Sequence, residues 1–271
     1  GDANVANGAP PGFPGDELNA GDVVILQNEI PVNPRDDNVL FFDGADKFIT
    51  NSPLAVTRSA HAPVPGTVLA GAVEVYPTSE WGNQFEAPVG VDTPDDENMF
   101  EYVAGSYMAT ADGTTLSIDI DGDGAPDLPP IPLNEGESFF SLGDTPVGVE
   151  ITSNLPVQAH AVTGDINARW ESRWAILFPR DTWTGEYFVG VSTRTVSTAD
   201  PTAVFLYNPD DTETISVDWE TNGGDQTPVN VPPRGNTRVD MPDGTGARFF
   251  NTDGDVFYAI VTVDSNPEED N

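Results

Sequence analysis

Short apolar and β-branched runs bounded by Gly, Pro or Asn recur along the whole chain. Residues 21–26 and 68–76 are two such runs, and residues 204–207 form another that ends at a turn cluster of Asn, Pro and Asp. Between residues 214 and 219 apolar and polar residues alternate, which is typical of a strand with one buried and one solvated face. No stretch keeps a helical apolar period without an interrupting Gly or Pro. The pattern therefore predicts an all-β protein with little or no helix.

Several segments recur further along the chain at a nearly constant distance. The matched segments are 48–56 with 150–157, 76–85 with 178–187, and 115–119 with 214–218. Trp81 and Trp183, for example, are a matched pair 102 residues apart. A common offset over several segments indicates a tandem duplication. A repeat of about 100 residues is a usual size for a β-sandwich, so we expect two tandem β-sandwich-like domains.

The repeat also predicts where the domains lie. We expect a first β domain at 18–146 and a second at 147–265, with a flexible N-terminal arm at 1–17 and an acidic C-terminal tail at 266–271. The N-terminal sequence is small and polar, as in an exported protein after its signal peptide has been removed. We therefore expect an extracellular or cell-surface location. The chain has no apolar run of 18 residues, so no transmembrane helix is expected.

The charge balance points to the environment of the protein. The 271 residues include 10 Lys and Arg against 45 Asp and Glu, a formal net charge of −35. Such a surface repels itself at low salt, whereas at molar salt the screening length falls to about 3 Å. The sequence therefore predicts adaptation to high salt. The alternative is an ordinary acidic extracellular protein that uses calcium as a counter-ion. The same charge repels phosphates and argues against nucleic-acid binding.

Motifs that would carry catalysis are missing from the sequence. The chain has no Cys, which excludes disulfides, thiol catalysis and Cys-based zinc sites. Its two histidines, His61 and His160, show no zinc-ligand spacing, and no nucleophile-elbow or nucleotide-binding glycine motif occurs. Paired carboxylates are uninformative in a chain with 45 acids. We therefore expect a protein that is not an enzyme.

The two repeats share a pair of short motifs. The copies read Ile-Thr-Asn-Ser-Pro at 49–53 with Pro-Thr-Ser-Glu-Trp-Gly at 77–82, and Ile-Thr-Ser-Asn-Leu-Pro-Val at 151–157 with Pro-Arg-Asp-Thr-Trp at 179–183. Thr184 stands where the pattern prefers Gly. Over most of residues 18–263 the chain resembles the IgGFc-binding-protein N-terminal domain family. The resemblance implies an extracellular β-rich repeat module of adhesive or matrix-like surface proteins. It implies no enzymatic activity, and IgG binding is not carried over.

One acidic segment has the spacing of a calcium loop. Asp119, Asp121, Asp123 and Asp127 occupy positions 1, 3, 5 and 9, with Gly at position 6. Calcium takes six to eight hard oxygens, and such a loop supplies several of them. The usual Glu at position 12 is replaced by Pro130. The segment predicts either a calcium site or a solvated hairpin turn. The second repeat offers Asp218, Glu220 and Asn222 followed by two glycines at 223–224, so both segments resemble acidic tips of a β-hairpin.

Two sets of aromatic residues are candidates for contacts. Trp81, Phe85, Trp183 and Tyr187 recur at equivalent repeat positions, and the pattern favours core positions over sugar-stacking or subunit contacts. The segment 169–174 lies outside the repeat. It contains Arg169, Trp170, Arg173 and Trp174, and Arg and Trp are enriched at protein interfaces. We expect either a protein interface or a buried, capped loop there.

Tandem β domains without a catalytic motif favour a structural role. The leading interpretation is a non-enzymatic subunit of an extracellular filament, sheath or surface layer that assembles with itself in high salt. The alternative is a secreted adhesion module that binds glycans or surface partners.

The N-terminal apolar run suggests one route to assembly. Val23, Val24, Ile25 and Leu26 follow a Pro-containing arm and carry no charge. We expect this strand either to complete the sheet of a neighbouring copy or to pair within its own first domain. Head-to-tail addition does not close by itself and produces filaments.

Overall fold

The chain divides into a compact unit at Thr50–Asn271 and an N-terminal unit at Gly1–Ile49. The computed structural model describes residues 19–23, 25, 47–60, 71–94, 99–141, 143–164, 173–190 and 202–262. Of the described residues, 49% lie in strands and 3% in helices. The strands form several antiparallel sheets, so the protein is all-β and the predicted fold class is confirmed. In the part of the chain that is described, no helix is long and apolar enough to cross a membrane.

In the N-terminal unit, the described residues include a small turn. The Asp22 carboxylate accepts hydrogen bonds from the backbone N–H and the side-chain amide of Asn19, at 2.8 and 3.1 Å, and these bonds lower the pKa of Asp22. Val23 and Ile25 follow the turn, are 82% and 72% exposed, and belong to no strand among the described residues. Val24 and Leu26 lie outside the described residues, as do the predicted arm and tail, so strand donation by this segment stays a prediction.

The larger unit contains seventeen strands among its described residues. Their bounds are β1 Val56–Ala60, β2 Gly71–Val75, β3 Gly82–Glu86, β4 Tyr102–Ala109, β5 Thr114–Asp119, β6 Ile131–Leu133, β7 Ser138–Phe140, β8 Glu150–Gly164, β9 Arg173–Leu177, β10 Glu186–Val189, β11 Ala203–Tyr207, β12 Ile215–Thr221, β13 Gly224–Asp225, β14 Val229–Val231, β15 Asn236–Asp240, β16 Ala247–Phe250 and β17 Tyr258–Thr262. Two short 3-10 turns, Thr78–Glu80 and Arg180–Thr182, precede β3 and β10. β1 and β2 form a separate antiparallel pair.

The first sandwich-like body is organised around the 15-residue strand β8. The first half of β8 pairs with β3 and β5, and its second half pairs with β4 and β9. Strands β6 and β7 extend the sheet beyond β5 and β4. Both halves of the sheet line one core that includes Phe85, Tyr107, Leu116 and Ile151. One long strand therefore serves both layers of the body, and Pro156 lies where it changes partners.

The second body is made of two sheets that face a core of their own. One sheet has the order β10-β16-β12-β13 with β14 also on β12, and the other has the order β15-β11-β17. The predicted alternation at 214–219 is confirmed, because Ile215, Val217 and Trp219 are buried in this core and Ser216 is exposed. The Trp219 ring stacks on Phe249 at a centroid distance of 5.5 Å.

The order of strand pairings is the same in the two bodies. β4 lies between β7 and β8, as β11 lies between β15 and β17. β5 lies between β6 and β8, as β12 lies between β14 and β16. A duplication would produce this correspondence, but the tandem repeat itself stays a prediction. The predicted division between 146 and 147 also stays a prediction, and the first sheet takes strands from both sides of it.

A third core cluster joins the two bodies. Strand β11 is buried on both faces, because Val204 and Leu206 point into the second core and Phe205 and Tyr207 point away from it. The outward pair meets apolar residues between β3 and β4, where the Phe100 ring contacts Phe205 edge-on at 4.9 Å. The two bodies therefore share buried apolar surface.

Candidate functional site

The acidic loop between β5 and β6 uses its carboxylates to hold its own backbone. Asp119 is buried at the end of β5 and accepts hydrogen bonds from the N–H groups of Gly122 and Gly124 at 2.6 and 2.8 Å. Asp127 accepts the N–H of Ile120 at 2.6 Å. These are the local side-chain to backbone bonds that favour turns. The sequence therefore folds here into a turn whose acidic side chains converge.

Three of the four predicted calcium ligands come together. Carboxylate oxygens of Asp119, Asp121 and Asp127 lie within 4.8 Å of one another, with Asp119 buried and the other two exposed. Asp123 is not part of this group, and its carboxylate accepts the N–H of Ala125 at 2.8 Å. Hard oxygens in this arrangement suit a calcium ion, which needs six to eight of them. The calcium site and the solvated turn both stay predictions.

The second acidic segment lies at the hairpin of β12 and β13, in which Glu220 pairs with Asp225 and Thr221 with Gly224. Asp218 and Glu220 both lie on β12, and Glu220 is one residue from the turn. Glu220 accepts a hydrogen bond from Arg248 at 3.1 Å, and Glu186 on β10 bonds the same guanidinium. Glu186 and Glu220 therefore form cross-strand ion pairs with Arg248, which contribute little at an exposed site.

Half of the predicted Arg–Trp contact segment is described. Arg169 and Trp170 lie outside the described residues, whereas Arg173 and Trp174 begin strand β9 and are half-buried. The Trp174 ring lies 4.2 Å from the guanidinium carbon of Arg58 on β1, a distance typical of a cation–π contact. Trp174 therefore contacts the β1–β2 pair, and the predicted partner protein remains a prediction.

His160 on β8 lies behind this contact. Its ring meets Trp174 edge-on at 5.9 Å, and the side-chain atoms His160 Nε2 and Gln158 Nε2 are buried without a hydrogen-bond partner among the described residues. Burial, together with the nearby charge of Arg58, lowers the pKa of His160 to about 4. His160 is therefore neutral at physiological pH.

A cavity of about 240 Å³ opens beside Trp174. It is lined by Arg173 and Trp174 of β9, by Val89 and Phe100, and by the end of β17. Of the described lining residues, Arg173 is ionisable and the others are apolar or carry a hydroxyl. An acid–base pair of the kind that catalysis uses is not present in this lining. The cavity can take a small apolar group or side chain.

The repeat aromatics occupy corresponding turns but differ in burial. The indole N–H of Trp81 donates to the carbonyl of Tyr76 at 3.1 Å, and that of Trp183 donates to the carbonyl of Phe178 at 3.0 Å. Trp183 is buried in the third cluster, whereas Trp81 is half-buried and belongs to none of the three clusters.

The other repeat pair differs in the opposite direction. Phe85 is buried in the first core. Tyr187 is half-buried against the second core, and its hydroxyl donates to the carbonyl of Phe257 at 2.8 Å. One member of each repeat pair, Phe85 or Trp183, is therefore a core residue, and the other is half-buried.

Glu86 is the buried charge that sequence reasoning missed. It ends strand β3, is only 2% exposed, and accepts a 2.8 Å hydrogen bond from the Tyr207 hydroxyl. The Arg180 guanidinium forms an ion pair with the same carboxylate and donates to the carbonyl of Pro209 at 3.2 Å. Burial raises the pKa of Glu86, while Tyr207 and Arg180 act in the opposite direction.

Arg234 makes a second polar contact between the bodies. Its guanidinium donates to Glu150 on β8 at 2.6 Å, to the carbonyl of Gly148 at 2.5 Å and to Asp211 at 3.0 Å. It also lies against Gly122 of the acidic loop, where the backbone has a φ of +70° and a Cβ would overlap the guanidinium. The joint therefore combines an apolar cluster with charge-assisted hydrogen bonds.

Comparison of the chain with protein-family models gave no match, and comparisons with curated proteins and with solved structures gave none either. The resemblance to the IgGFc-binding-protein N-terminal domain family stays a prediction.

Proposed function

We propose that this protein is a non-enzymatic structural subunit of an extracellular filament, sheath or surface layer. It assembles with copies of itself through β-strand and interface contacts in a high-salt environment. The proposal is supported by the way in which the two bodies of one chain are joined.

The observation that carries the proposal is the position of β9. This strand precedes the turn and strand that open the second body, yet it pairs with β8 and closes the first. Its residue Leu177 is buried in the first core. Strand addition of this kind is also a general mode of recognition between chains. The buried contact of Glu86 with Tyr207 and the part-buried contacts of Arg234 also hold the two bodies together.

The high-salt environment is supported by the charge of the chain. Arg180, Arg234 and Arg248 each contact one or more acids. The chain has only 10 Lys and Arg for 45 Asp and Glu, so most of the acids cannot be neutralised in this way. A net charge of −35 destabilises a compact state unless salt screens it.

Size-exclusion chromatography and negative-stain microscopy in molar salt test the proposal. We expect regular polymers of the wild-type chain.

The alternative function, an adhesion module for glycans, is favoured by Phe188, a strongly exposed aromatic on β10 beside Arg248. A monomer that binds polysaccharide, and loses that binding in Phe188→Ala, would replace the structural role by the adhesive one.

A further inference from the structure

Strand β9 shows how one body of this fold is completed. It pairs with the second half of β8, so that Leu177 lies opposite Ala159 and Ala175 lies opposite Ala161. Ala159, Ala161 and Leu177 belong to the first core, and Ala175 packs against it. The second half of β8 is therefore paired on both edges, with β4 on one side and β9 on the other.

Strand β17 takes the place of that half of β8 in the second body. β11 pairs with β17 as β4 pairs with β8, and Ala259 lies opposite Leu206 as Ala159 lies opposite Tyr107. Among the described residues, however, no strand pairs with the other edge of β17. Val261, which corresponds to Ala161, is 47% exposed, whereas Ala161 is 4% exposed.

Within its own five residues, the edge of β17 also lacks the charges, Pro or bulges that protect a sheet edge. Natural proteins blunt such edges with charges, Pro or bulges. The five residues of β17 read Tyr-Ala-Ile-Val-Thr and carry no charge, in a chain with 45 acidic residues. An uncharged, regular edge with an exposed Val is suited to pairing with another strand.

Strand β2 has the features of β9. The two strands lie 102 residues apart, as in Val75 and Leu177, and each is followed by an aromatic residue, a Pro and a 3-10 turn. In both turns the Trp indole donates back to the carbonyl of that aromatic residue, at 3.1 and 3.0 Å. Within the chain, β2 is paired with β1, and its Val73 lies opposite Arg58.

We propose that β2 of one copy pairs with the free edge of β17 of a second copy, in the register that β9 adopts on β8. β1 then acts as a temporary partner that covers β2 until the second copy displaces it. The exchange places Val75 opposite Ala259 and Val73 opposite Val261. Apolar cross-strand pairs stabilise a sheet. Within a single chain, by contrast, Val73 lies opposite the charged Arg58. Donor and acceptor are different surfaces, so the contact repeats head to tail and builds a filament.

This inference rests on the proposed function and names its partner and contact. The first test is Val261→Asp, which puts a charge on the acceptor edge, with Val256→Asp as the matched control. Val256 is 41% exposed and lies outside β17. In molar salt we expect V261D to raise the dissociation constant of self-association by at least ~10-fold and V256D to leave it unchanged.

Cysteine cross-linking tests the pairing itself, because the chain has no Cys. An oxidised mixture of the single variants Val73→Cys and Val261→Cys should give a disulfide-linked heterodimer. Glu74→Cys replaces Val73→Cys as the control, since it points to the other face of β2. The double variant R58C/V73C should lock β2 to β1 and assemble only after reduction.

The outcomes separate this contact from the proposed function. A wild-type chain that stays monomeric in molar salt overturns both. Assembly that survives V261D and the oxidised R58C/V73C lock overturns the β2–β17 contact and leaves the structural role standing. Deletion of residues 1–26 should leave assembly intact. If that deletion abolishes assembly while V261D does not, the donor is the N-terminal segment and the contact proposed here is wrong.

Discussion

Tyr207→Phe is expected to weaken the joint between the two bodies. The Tyr207 hydroxyl donates a 2.8 Å hydrogen bond to Glu86, and both side chains are buried. A hydrogen bond to a charged group contributes about 1.5–3 kcal/mol to stability. The variant keeps the ring, which packs in the third cluster, and leaves the carboxylate with Arg180. We therefore expect the free energy of unfolding to fall by about 2 kcal/mol at pH 7.

Tyr258→Phe is the matched control. Tyr258 is buried in the same cluster, but its hydroxyl has neutral partners: it donates to the carbonyl of Ile176 at 2.8 Å and accepts the N–H of Phe178 at 3.3 Å. A neutral hydrogen bond contributes about 0.5–1.5 kcal/mol, and neither of these bonds depends on the charge of Glu86. The cost of Tyr258→Phe should therefore stay the same between pH 7 and pH 4.

The loss of stability caused by Tyr207→Phe should depend on pH. The hydroxyl of Tyr207 favours the ionised carboxylate, so Tyr207→Phe raises the pKa of Glu86 further above its ordinary value. As the pH falls through that pKa, Glu86 becomes neutral in both proteins and the charge-assisted part of the bond is lost. The cost of Tyr207→Phe should therefore shrink as the pH falls, whereas that of the control should not.

Denaturant unfolding of the wild type and both variants, from pH 7 to pH 4 in one molar salt, measures these quantities. A cost of Tyr207→Phe that does not change with pH, or that changes no more than the cost of Tyr258→Phe, would refute this account of the joint.

Three further predictions concern charge. The midpoint of thermal unfolding should rise from low to molar salt, because a net charge of −35 must be screened. A midpoint that does not change with salt contradicts adaptation to high salt. Calorimetry should detect at most weak calcium binding, since Pro130 replaces the twelfth ligand; submicromolar binding that Asp121→Asn abolishes contradicts this. His160 is neutral when folded, so about 3 kcal/mol of stability should be lost as the pH falls from 6.5 to 4. His160→Gln should remove that loss, and equal pH slopes would contradict it.

Local patterns predicted the strands better than their partners. The alternation at 214–219 and the apolar run at 204–207 correspond to β12 and β11, because period-two burial is a local property of sequence. The segment around Pro156 has the composition of a turn, yet it lies inside β8. Its continuity depends on β3, β4, β5 and β9, which pair with β8 from distant parts of the chain.

The candidate sites show the same division. The acidic loop was predictable, since Asp119, Asp121 and Asp127 lie close in sequence and their spacing brings them together. Glu86 was not, because one acid among 45 carries no signal. A charge within the apolar stretch from Phe85 to Val89 was the one available hint. Its partner Tyr207 is 121 residues away, and only the folded chain brings the two together.

Sedimentation velocity in molar salt, over a range of protein concentrations, tests the structural role most directly. A self-assembling subunit should sediment as a concentration-dependent series of species larger than 28.9 kDa, and negative-stain images of the same samples should show regular filaments or layers. A single species of 28.9 kDa at every concentration would contradict the structural role.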